Sequence, residues 1–211
     1  MPEYDAVLFD LDGTLADTMS ELSVLGIGIF RRGFDLTPQA AAEAYRATAG
    51  APFNVQLEEF APGGQANCQL GDEFETAKVA IFEGAELYED ALGLLESLIA
   101  DGTKLAVVSS TREELVHEFA LRTGLAARVD CVLGHRGGDD KTIQILQALK
   151  WINGSPESAI FVGDAPRDAD YAGRAGVDFL GIEHTFARAT FLDRGLDSVP
   201  DLRAVGQRLV R

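Results

Sequence analysis

From Glu89 to Ile182 the chain alternates helix-patterned segments with short apolar runs, a rhythm that few folds accommodate. The pattern predicts helices over 89–100, about 112–122, 141–151 and 165–175, and strands over 104–108, 129–133, 159–162 and 179–182. Such alternation implies a parallel sheet covered by helices on both faces. Tyr4 to Phe9 is a further apolar run, long enough for a buried strand and too short for an ordinary helix. Between Leu15 and Gly84 the rhythm changes. Helical patterns over 18–32, 37–49, 53–60 and 72–82 are punctuated by Gly33, Gly50, Pro62-Gly63-Gly64 and Gly84. The expected fold is therefore α/β, a doubly wound parallel sheet with an α-helical domain inserted after the first strand. Its core would take residues 1–15 and 85–211, and the insertion 16–84.

Composition narrows the possible partners. The chain has 211 residues, is 46% hydrophobic and 25% charged, and carries a net charge of −16. An acidic chain without clustered Lys and Arg is not built for nucleic acid or an anionic membrane surface. No apolar run reaches the ~18 residues of a membrane span and no signal segment opens the chain, so a cytoplasmic protein is expected. Cys68 and Cys131 lie far apart and neither belongs to a CxxC pair, which favours reduced, structural thiols. A phosphorylated ligand would feel the negative field, so its site would need local positive charge.

Chemistry-bearing residues gather at one predicted sheet edge. The first strand runs into Asp10-Leu11-Asp12-Gly13-Thr14-Leu15, where a turn at Gly13 lets two carboxylates one residue apart reach a common centre, an arrangement suited to phosphoryl transfer. Alone, the hexapeptide reads more simply as a solvated turn. The strand over 104–108 delivers Ser109-Ser110-Thr111, which suits an anion site at a helix start or simple helix capping. Gly163-Asp164 follows another strand, with Asp168 four residues on, so the two carboxylates can share the first helical turn. That pair serves either a cation or the helix dipole. Lys141 opens a helix, where its charge opposes the dipole; it is either functional or solvated.

Together these four segments, in this order, resemble the haloacid dehalogenase superfamily of phosphohydrolases, and the likeness runs over essentially the whole chain. With a helical cap inserted after the first motif, the chain is similar to the phosphoglycolate phosphatase and β-phosphoglucomutase branch. The resemblance implies that Asp10 is the nucleophile, forming an aspartyl-phosphate, and that Asp12 protonates the leaving alkoxide and then activates water. It implies Mg²⁺ as cofactor, held by Asp10, the Asp12 carbonyl and Asp164, with Asp168 orienting that shell. Ser109 and Ser110 would hold phosphate oxygens, and Lys141 would pair with Asp10 and the transferring group. The implied partner is a small phosphorylated metabolite.

Departures from the family sharpen the expectation. Asp12 argues against carbon–halogen cleavage, since dehalogenase members lack that second aspartate. The stretch Met19 to Ser23 lacks the early histidine of the mutase relatives, which leaves a phosphosugar mutase as the alternative and an idle phosphate- or metal-binding protein behind it. Lys141 is followed by Thr142 where many relatives have proline, and Asp139 or Asp140 reads as the cap of its helix. His117 and His184 read as structural, His135, Arg136 and Arg112 as marginal substrate contacts, and Trp151, Phe179, Phe186 and Phe191 as core.

Overall fold

The computed structural model describes residues 4–138 and 140–210. The chain divides into two compact units, one running up to Asp17 and resuming at Glu86, the other Thr18–Ala85. In chain order β1 (Ala6–Phe9) is followed by the helices of the second unit: α1 (Met19–Gly33), α2 (Pro38–Thr48), α3 (Phe53–Phe60) and α4 (Asn67–Gly84). The first unit then continues with α5 (Ala91–Ala100), β2 (Lys104–Arg112), α6 (Glu113–Arg122), β3 (Cys131–His135), α7 (Lys141–Trp151) and β4 (Ala159–Gly163). It ends with α8 (Pro166–Ala175), β5 (Asp178–Ile182), α9 (Arg188–Leu192), β6 (Ser198–Val199) and α10 (Leu202–Leu209).

Among the described residues the six strands form one sheet in the order β3-β2-β1-β4-β5-β6, every pairing parallel. Winding reverses at β1, so the carboxyl ends of β1, β2 and β4 border the crevice where ligands bind in folds of this kind. Alternate strand residues serve opposite faces. Ala6, Leu8, Ala106, Val108, Ala159 and Phe161 pack with α7 and α8 through Ile145, Ala148, Leu149, Ala172 and Ala175. Their neighbours Val7, Phe9, Leu105, Val107, Ile160 and Val162 are buried too, which is why each strand reads as a continuous apolar run.

In the second unit Phe30 gathers Phe34, Tyr45, Phe53 and Phe60 at centroid distances of 5.3–6.4 Å, and Phe53 stacks on Phe74 at 3.9 Å. Thr37 caps α2 by accepting from the Ala40 N–H at 3.2 Å, with Pro38 at the first helical position.

Several expectations need correction. β2 continues in extended form to Arg112, so Ser109 to Thr111 belong to a strand and not to a helix start. α4 begins at Asn67 and not at 72, because the Asn67 side chain donates to Glu58 Oε1 and the Ala61 carbonyl and anchors an earlier turn. Trp151 is 74% exposed as the last residue of α7 and Phe186 is half-buried, so neither is core; Phe191 is fully buried, and half-buried Phe179 packs against the core. Asp140 caps α7 through the Ile143 N–H, while Asp139 lies outside the described residues. Cys68 is exposed, Cys131 is buried, and both are free thiols. No helix among the described residues is long and apolar enough to cross a membrane.

Candidate active site

Asp10 sits directly beyond β1, tied to β4 by its N–H to the Val162 carbonyl at 2.9 Å, and is almost fully buried. The chain then turns tightly. The Leu11 carbonyl accepts from Thr14, Leu15 and Ala16 N–H, and Gly13 takes φ 75°, a conformation that costs glycine nothing. His184, on the loop after β5, places Nδ1 3.0 Å from the Gly13 carbonyl and lies against the Tyr88 ring.

Lys141 occupies the first turn of α7, and its buried Nζ contacts Asp10 Oδ1 at 2.9 Å and Asp168 Oδ1 at 2.8 Å. Asp164 is not on the helix with Asp168, as the sequence suggested. Pro166 starts α8, so Asp164 lies on the chain leaving β4, while the Asp168 carboxylate turns back to accept the Ala165 N–H at 3.2 Å. Carboxylate oxygens of Asp10, Asp164 and Asp168 nevertheless lie within 4.8 Å of one another.

Asp12 faces another set of groups. Its Oδ2 accepts from Thr111 Oγ1 at 2.5 Å and from Ser109 Oγ at 3.3 Å, and the Thr111 N–H donates to Ser109 Oγ at 3.0 Å. Ser109 and Thr111, two residues apart near the end of β2, thus both meet Asp12. The apolar pattern stops at Val108, so the sequence gives no sign that Thr111 shares a strand with Ser109.

Electrostatics follow from crowding. Burial raises the Asp10 carboxyl to about 7, with Lys141 opposing the shift and Asp168 and Asp12 adding to it. Burial, then the charges of Asp10 and Asp168, hold Asp164 well above the usual carboxylate range. For Lys141 burial works to lower the ammonium, but the charges of Asp10 and Asp168 outweigh it and hold it above its ordinary value. One buried ammonium thus faces three buried carboxylates. Hard oxygen donors with surplus negative charge are what a small divalent cation requires, so these residues fit Mg²⁺.

Of the other basic groups near this edge, Arg136 and His117 both pair with Glu113, and Gly134 N–H donates to the same carboxylate at 3.1 Å.

The carboxylate–lysine centre stands at the switch-point edge of a doubly wound sheet, where ligands bind in α/β proteins of this class. The chain belongs to the haloacid dehalogenase-like hydrolase family, whose model matches residues 7–182. It is 28% identical over 211 residues to a phosphoglycolate phosphatase from Rhodospirillum rubrum, covering 93% of this chain and 86% of that one. It is 26% identical over 201 residues to the tyrosine-protein kinase PtkA of Mycobacterium tuberculosis, covering 89% of this chain but spanning only 65% of the relative's length. Among solved structures, a haloacid dehalogenase-like family hydrolase from Streptococcus pneumoniae superposes with a TM-score of 0.77 at 23% identity, over 97% of this chain and 98% of that one.

Proposed function

We propose that this chain is a Mg²⁺-dependent phosphatase of small phosphorylated metabolites, of the phosphoglycolate phosphatase-like branch, working through an aspartyl-phosphate at Asp10. The observation that carries the reading is the division of carboxylates at one sheet edge. Asp10 is buried and held by Lys141, with Asp164 and Asp168 beside it, whereas Asp12 is held apart on the hydroxyls of Ser109 and Thr111.

In this mechanism an Asp10 oxygen attacks phosphorus as the ester P–O bond breaks, and Asp12 gives its proton to the leaving alkoxide. Asp12 then takes a proton from water as that water attacks phosphorus, which releases inorganic phosphate and restores Asp10. Lys141 fixes the Asp10 carboxylate and offsets charge on the transferring group, and the Ser109 hydroxyl and the Ser110 N–H hold phosphate oxygens. Mg²⁺, when bound by Asp10, Asp164 and the Asp12 carbonyl with Asp168 orienting the shell, supplies charge neutralisation for the phosphate. In this reading residues 16–84 are the helical cap domain and residues 1–15 and 85–211 the core.

The test is phosphate release from a panel of phosphomonoesters, phosphoglycolate and hexose phosphates included, with and without Mg²⁺ and with Asp10→Asn as control. Metal-dependent release that vanishes in the variant supports the reading. A long-lived phosphoenzyme with no release favours the mutase, and release undiminished in Asp10→Asn refutes the mechanism.

A further inference from the structure

β2 and β3 fall out of step at the edge where the candidate site lies. Val108 pairs with Leu133 and Arg112 with His135, so β2 advances four residues while β3 advances two. A bulge of this kind re-aims side chains at the expense of ladder hydrogen bonds. Here it turns Ser109 and Thr111 onto Asp12. Carbonyls that lose ladder partners in a buried place need others, because each one left unsatisfied costs about 1–3 kcal/mol.

One side chain donates to a carbonyl on each strand at this place. Gln144 Nε2 donates to the Ser109 carbonyl of β2 at 3.2 Å and to the Gly134 carbonyl of β3 at 2.7 Å. An amide nitrogen carries two hydrogens, one for each carbonyl, and two facing acceptors also fix which end of the amide points at the sheet. Gln144 is 3% exposed and follows Lys141 by three residues on α7, so both side chains project from one face of one helix. Movement of α7 that displaces one displaces the other.

We propose that Gln144 is a positioning residue: its amide clamps the β2–β3 bulge, so that Ser109 and Thr111 hold Asp12 in place while the same helix holds Lys141 on Asp10. The catalytic consequence rests on the phosphatase reading; the clamp itself does not. Gln144→Met keeps the length of the side chain and removes both donors, and Gln144→Glu keeps its shape but sets acceptors against the two carbonyls.

The experiment follows amide hydrogen exchange and turnover in the full chain with Mg²⁺. In wild type, the Gln144 side-chain amide protons are expected to be protected from solvent. In both variants, exchange at Ser110 and Thr111 is expected to accelerate roughly tenfold or more with Val107 unchanged, and kcat to fall by a similar factor with KM nearly constant. Ile145→Val, a core change on the same helix, controls for lost stability and should leave kcat alone. In a double-mutant cycle with Thr111→Val the kcat effects should be non-additive, because both act through Asp12.

Gln144 amide protons that exchange freely in wild type overturn the clamp without any variant having to fold, and additivity in the cycle overturns its action through Asp12. An inactive wild type with a protected Gln144 amide and a loosened bulge in Gln144→Met sinks the phosphatase reading and upholds the clamp.

Discussion

A lysine in the first turn of a helix opposes the helix dipole, and Lys141 is held there by Asp10 and Asp168. The same crowding sets a pH dependence. Between the ordinary Asp value of 3.8 and about 7, folded Asp10 retains a proton that the unfolded chain has lost, and Asp164 shifts in the same direction. Since stability falls with pH wherever the folded state binds more protons, the metal-free protein should lose stability from about pH 5 to about pH 8 through these groups. Mg²⁺ prefers the ionised carboxylates, so its stabilisation should grow over that range. Thermal unfolding in chelator and in Mg²⁺ at both pH values checks this. Asp164→Asn should flatten the difference and need more Mg²⁺ to saturate turnover; an unaltered difference would remove Asp164 from the centre. For the two lead aspartates, Asp12→Asn should lower kcat by roughly 10²–10⁴, the cost of a lost general acid–base, whereas Asp10→Asn should be inert. Single-turnover assays separate those two outcomes.

Among elements, the exit of β4 leaves no room for a side chain. A Cβ on Gly163 would lie 2.5 Å from Asp168 Oδ2 and 2.8 Å from its Cβ and Cγ, and Asp168 has no room to retreat without leaving Lys141. Gly163→Ala should therefore cost about 1–3 kcal/mol in urea unfolding. It should also lower kcat by roughly tenfold or more, as displacement of a group that orients a site does. Gly173→Ala, on α8 with nothing near its Cβ, should be neutral or slightly stabilising.

Elements were legible where burial writes a pattern. The central strands are buried on both faces and read as apolar runs, and α7 starts where Asp140 caps it. β2 was read short because its last residues are polar though still extended. β6 spans two residues, Ser198–Val199, and exists only through pairing with β5, which no local pattern announces. The same limit applies at the site. Asp10, Asp12 and Lys141 stand in local motifs, whereas the parts of Thr111 and Gln144 depend on a strand register and a helix face that are properties of the folded chain.

At the scale of the whole molecule, charge dominates. A net charge of −16 repels an anionic substrate over distances comparable to the Debye length, ~10 Å at 0.1 M salt, even though Lys141 attracts it at close range. Raising ionic strength from roughly 0.01 M to 0.1 M should therefore increase kcat/KM for a dianionic ester by a few-fold, through faster association. A fall in kcat/KM would mean that a local positive field at the entrance outweighs the net charge. The one tryptophan of the chain, Trp151, ends the helix that bears Lys141 and Gln144, yet it stands almost wholly in water. Its native emission should accordingly lie near that of the free indole, so intrinsic fluorescence will be nearly blind to unfolding and will respond only when something settles on the outer face of that helix.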